Sequence, residues 1–130
     1  MEMQTITRPG TIDTEIALQR LNGDRALLAS LASFFLEDAP QLVTALHDSI
    51  DTNSLPQVVR TAHSLCGLAS TFEAKSVTNL TAEIERQARQ GETSELAELM
   101  HQLDAEFASL IVELQVLVAT PGESGLTPVD

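Results

Sequence analysis

Leu96, Leu99, Leu103, Phe107, Leu110, Leu114 and Leu117 recur at steps of three and four residues. A half-buried strand would alternate at every second position, so this spacing commits the segment to an amphipathic α-helix. The stripe is read as core, with a coiled-coil seam as its alternative. The same period runs through most of the chain. Asp13 caps a short helix ending near Leu21, where Asn22 and Gly23 stop it. Asp24 opens the next, with Leu27, Leu31, Phe34 and Phe35 on its apolar side. Pro40 interrupts that pattern, and Asp38 with Gln41 offers a cap for a continuation through Leu42, Leu46 and Ile50. One long rod bent at Pro40 is expected, although two separate helices would read similarly. Ser54 and Gln57 form the pattern of a capping box for a helix reaching Phe72. Ala74, Val77, Leu80, Ile84 and Ala88 mark another, stopped at Gly91.

No segment sustains strand alternation. Four long rods with short connections predict an all-α protein: an up-down antiparallel four-helix bundle with a short N-terminal capping helix, spanning residues 13–118. Residues 1–12 and 119–130, which hold Pro9, Gly10, Pro121, Gly122, Gly125 and Pro128, are read as flexible tails.

The charge balance narrows the partners. Nineteen acidic residues face seven Lys and Arg, for a formal net charge of −12. Phosphate-backbone binding needs clustered Lys and Arg, and base-stacking platforms need aromatics, which are only 3% here. Nucleic acid is therefore not an expected partner. The single cysteine, Cys66, allows no internal disulfide. His47 with Asp51, and His101 with Asp104, have helical spacing but match no zinc-protease pattern, so no metal site is expected. No run approaches the ~18 apolar residues of a membrane span, and no secretory signal is evident. A monomeric, cytoplasmic segment without membrane contact is the expectation.

The helix over residues 55–72 carries the chemistry. Leu55, Val58, Ala62, Leu65, Ala69 and Phe72 gather on one side as its core stripe. His63 falls about 140° from the centre of that stripe, and therefore faces solvent in mid-helix. Pro56, Arg60, Gly67 and Ser70 lie within about 60° of it, with Val59 and Cys66 at the borders. Gly67, one turn after His63, occupies a helix interior where glycine costs ~1 kcal/mol relative to alanine. It leaves space beside the imidazole. From Thr52 to Phe72 there is no acid, and Arg60 is the one formal charge. Room for a bulky group in an acid-free stretch suits a histidine that carries a phosphoryl group, and equally suits a docking surface. An exposed imidazole is mostly neutral at cytosolic pH, and its free nitrogen can attack phosphorus. No P-loop, kinase glycine loop or acid cluster is present to drive phosphoryl transfer, so a partner must supply magnesium and the second reactive group. A general-base enzyme is disfavoured because His63 lacks an orienting carboxylate on its own helix face.

The stretch AHSLCGLASTFEAKSVTNLTAEIE, residues 62–85, resembles the histidine phosphotransfer (HPt) domains of bacterial and plant phosphorelays. His63, Leu65, Gly67, Ala74, Val77 and the Ile84–Glu85 pair match the family pattern in register. Upstream, LASFFLEDAPQLVTALHDSI looks like the family's preceding helix pair, and the resemblance spans roughly residues 13–117. It implies a non-enzymatic phosphoryl carrier without kinase activity of its own. Such a carrier accepts the group at Nε2 of His63 from a receiver-domain aspartate and passes it to another receiver. The implied partners are response-regulator receivers and a hybrid histidine kinase, with magnesium on the receiver and no cofactor in this chain. Arg60, Ser64, Cys66, Gly67 and Ser70 would surround the histidine; Pro56, Val59, Arg60, Gly67 and Thr71 would meet the partner. Two departures stand out. Cys66 replaces the family's usual Lys, so a receiver-binding adaptor that carries phosphate poorly is the alternative, and Arg60 is the candidate substitute cation. Glu73 stands where a glycine is common in the hairpin.

Overall fold

The computed structural model describes residues 12–119. Five helices follow one another: α1 (Thr14–Arg20), α2 (Arg25–Asp51), α3 (Leu55–Ser70), α4 (Lys75–Arg89) and α5 (Leu96–Ala119). Among the described residues there is no strand. Each of α2 to α5 packs against its neighbours in the order α2–α3–α4–α5–α2, which closes an antiparallel four-helix bundle. The tails assigned from sequence lie outside the described residues, apart from Ile12, which packs against the core, and Ala119, which ends α5.

The connections are short because left-handed residues turn the chain. Asn22, Asn53 and Glu73 take φ of 56°, 56° and 55°, and Gly91 takes 76°. Gly91 tolerates this freely, and Asn does so at modest cost. Glu73 is the unexpected one. It is buried, and its carboxylate bridges Arg20 of α1 and Lys75 of α4 (3.4 Å for Lys75). Those ion pairs explain why a charged residue holds a conformation that favours glycine. Arg20 also donates to the Ser70 carbonyl at 3.2 Å, and the Asp13 N–H donates to the Phe72 carbonyl at 3.0 Å. The short α1 thus caps the α3–α4 end of the bundle, as the sequence pattern predicts.

The expected apolar stripes meet in one core. Leu28, Leu46, Leu65, Ile84, Leu103, Leu110 and Leu114 are fully buried. Phe35 sits edge-on to Phe72, with centroids 5.6 Å apart, and also against Phe107 at 5.9 Å. Phe72 contributes from the hairpin, since α3 ends at Ser70 rather than at Phe72.

The single rod expected through Pro40 is present, while two expected caps are not. The chain passes Pro40 as one helix, and the Asp38–Gln41 cap does not form; Gln41 Nε2 instead donates to the Glu37 carbonyl at 3.1 Å. The Ser54–Gln57 capping box is also absent: Ser54 is the N-cap without a side-chain bond, and Gln57 accepts from Arg60. His47 meets the acid of the other spaced pair rather than Asp51. Its Nε2 lies 2.9 Å from Asp104 Oδ1, joining α2 to α5. Among the described residues no cluster of three or more potential metal ligands exists.

Although no uninterrupted apolar run was evident in the sequence, α2 is long and apolar enough to cross a membrane by length and composition. Its apolar side has another use here: Leu28, Ala32, Phe35, Ala39 and Leu46 are buried in the bundle.

Candidate functional site

His63 projects from the middle of α3, with its side chain 75% exposed. The wheel places it there for a simple reason: Val58, Ala62, Leu65 and Ala69 take the buried side of the helix. The imidazole is not isolated, however. Its Nδ1 lies 3.2 Å from Oε1 of Glu85, which α4 brings alongside. Glu85 is 15% exposed in its side chain, and its second oxygen accepts from Arg89 Nε at 3.1 Å and Nη2 at 2.8 Å. Burial opposes ionisation of Glu85. Hydrogen bonds from Arg89 and His63, reinforced by their charges, outweigh that cost and hold the carboxyl below its ordinary value. An ionised carboxylate is an acceptor only, so it selects the ring form with the proton on Nδ1. The lone pair is then on Nε2.

The ring overlooks an open groove of about 660 Å³ between α2 and α3. Its lining is Asp38, Gln41 and Leu42 from α2, and His63, Ser64, Gly67 and Leu68 from α3. A Cβ added at Gly67 would meet nothing within 4 Å. Close packing inside the chain therefore does not explain that glycine; the space faces outward, beside the histidine.

The structure gathers only part of the set proposed from sequence. Ser64 and Gly67 line the groove with His63. Arg60 does not: its guanidinium is held by Gln57, one turn towards the start of α3. Cys66 turns to α4, with Sγ 3.7 Å from the Thr78 carbonyl. Ser70 spends its hydroxyl on the Gly67 carbonyl at 2.9 Å. Pro56 and Arg60 are exposed, and Val59 and Thr71 half-buried, along α3 outside the groove lining.

Asp38, Gln41, Leu42 and Leu68 were not read from sequence as site residues, and Glu85 entered only as part of the family pattern. A signal for Glu85 was present. Positions 63 and 85 are equally far from Ala74, at the centre of the α3–α4 hairpin, so antiparallel helices bring them to one level. The acid-free stretch also changes meaning, because it holds along α3 but not in space. Glu85 touches the imidazole and Asp38 lines the same groove.

An antiparallel helical bundle that holds one imidazole over an open groove defines a histidine-presenting helical module. The family of the Hpt domain matches residues 30–113, nearly two-thirds of the chain, and the chain belongs to that family. Hpt domains are phosphocarrier modules, which gives this chain a general phosphotransfer role in a phosphorelay and receiver domains as its class of partner. No curated protein and no solved structure matches it.

Proposed function

We propose that this chain relays phosphoryl groups between response-regulator receivers through His63. The Nε2 lone pair attacks the phosphorus of a receiver aspartyl phosphate. The phosphorus–oxygen bond to the aspartate breaks, and the carboxylate departs with its electron pair. The reverse reaction with a second receiver completes the relay. Magnesium belongs to the receiver, where it offsets phosphoryl charge; a hybrid histidine kinase is a further source of the group. The chain acts as a monomer in the cytoplasm, where its receivers reside.

The observation that carries this reading is an exposed ring at the groove whose Nδ1 lies against Glu85, which leaves Nε2 for the incoming group. Ser64 and Gly67 make room for the incoming group, and the α3 face through Pro56, Val59 and Thr71 extends the docking surface beside it. The test is incubation with a phosphorylated receiver and magnesium, followed by a search for an acid-labile, base-stable label. Wild type should acquire the label and His63→Gln should not. A label that persists in the variant overturns the assignment of His63. A measurable complex with no label on wild type favours the adaptor that Cys66 suggests.

A further inference from the structure

We infer that Asp38 selects the receiver, by binding a Lys or Arg side chain that the partner places in the groove beside its aspartyl phosphate. This deepens the relay reading of His63 and rests on it.

A phosphoryl group on His63 carries about two negative charges. The cations of the described residues are committed elsewhere. Arg60 is held by Gln57, Arg20 and Lys75 by Glu73, Arg86 by Glu83, and Arg89 by Glu85. Arg25 stands in the first turn of α2, far from the groove along that helix, and Cys66 turns to α4. The groove holds an acid instead. Asp38 is exposed, lines the groove with His63, Ser64 and Gly67, and its carboxylate has no hydrogen bond or ion pair among the described residues. Gln41 donates back to the Glu37 carbonyl, which leaves its amide oxygen as a second acceptor in the same lining. Leu42 and Leu68, both half-buried there, offer an apolar wall to the stem of a long basic side chain. An unpaired carboxylate repels an incoming phosphoryl group unless a cation arrives with it. A receiver that brings one turns the repulsion into an ion pair and sets positive charge beside the group in transfer. A receiver with an acid at that place is rejected by like charge.

Two phosphoryl donors give opposite signs. Phosphoramidate brings no basic side chain; attack by Nε2 breaks its phosphorus–nitrogen bond and releases ammonia. In Asp38→Asn the label from phosphoramidate should appear about threefold faster at low salt, because one repulsive charge is gone. From a phosphorylated receiver it should appear about tenfold more slowly, the worth of one hydrogen bond to a charged group. Faster labelling from both donors means that Asp38 only repels, and unchanged rates mean that it has no part; either result overturns the inference. Binding is read separately on a His63→Gln background, which takes no label. There Asp38→Asn should weaken the receiver complex about tenfold and flatten its salt dependence. Equal affinities overturn the contact with a basic side chain. A complex that weakens as expected, while the chain with His63 intact takes no label, supports the contact and faults the relay reading alone.

Discussion

Replacing Gly67 by alanine separates folding from function. Gly67 is exposed in the interior of α3, and a Cβ there has no neighbour within 4 Å. With no clash to offset it, the gain is the helix-propensity difference, about 1 kcal/mol in favour of alanine. For a domain of this size that raises Tm by about 4 °C. Transfer should move the other way. The methyl group would stand beside His63, where the receiver must approach, and an unaccommodated methylene in a packed contact costs about 1–3 kcal/mol. That corresponds to about 5- to 150-fold in rate. Thermal melting followed by circular dichroism reads the first effect, and the time course of labelling from a phosphorylated receiver reads the second. A variant that is more stable and transfers at the wild-type rate refutes the view that Gly67 is kept for access. A less stable variant refutes the view that the space is empty.

Two further outcomes follow from the ion pairs. At Glu73, Ala retains the left-handed backbone but loses the bridges to Arg20 and Lys75, whereas Gly loses the bridges and relieves the backbone. Urea unfolding should find Glu73→Ala less stable than Glu73→Gly by about 1 kcal/mol, and equal stabilities would contradict the strain argument. On α4, hydrogen bonds from Arg86 and then Gln87, with burial opposing them, lower Glu83 from the ordinary 4.5 to about 2. A carboxyl depressed in the folded state stabilises above its unfolded value and loses that contribution as pH falls through the folded one. Acid should therefore weaken wild type more than Glu83→Gln between about pH 4.5 and about pH 2, by a small amount because the pair is solvent-accessible. Identical acid profiles for the two proteins would remove the effect.

Helical period and stop signals were legible because both are local. Asp13 and Asp24 cap their helices as read, accepting from the Ile16 and Leu27 N–H groups, and Gly91 turns the chain where expected. The failures came where one short pattern had competing uses. Gln41 and Gln57 each suit a capping box, yet continuous α2 removed the first need and Arg60 took the second side chain.

The candidate site divides along the same line. The sequence by itself determined that a helix starts at Leu55 and runs past His63, that His63 faces away from its apolar stripe, and that Gly67 leaves room beside it. Those are consequences of about 3.6 residues per turn and need no knowledge of the neighbours. Only the tertiary structure decided which atoms meet the ring. Helix register across the α3–α4 hairpin puts Glu85 on Nδ1 and turns Cys66 towards α4, and the packing of α2 on α3 sets Asp38 in the groove. A single-helix pattern carries no information on the register or rotation of the next helix, since those are settled by how the apolar stripes of all four interlock. The gap in acidic residues along α3 was real in one dimension and filled in three.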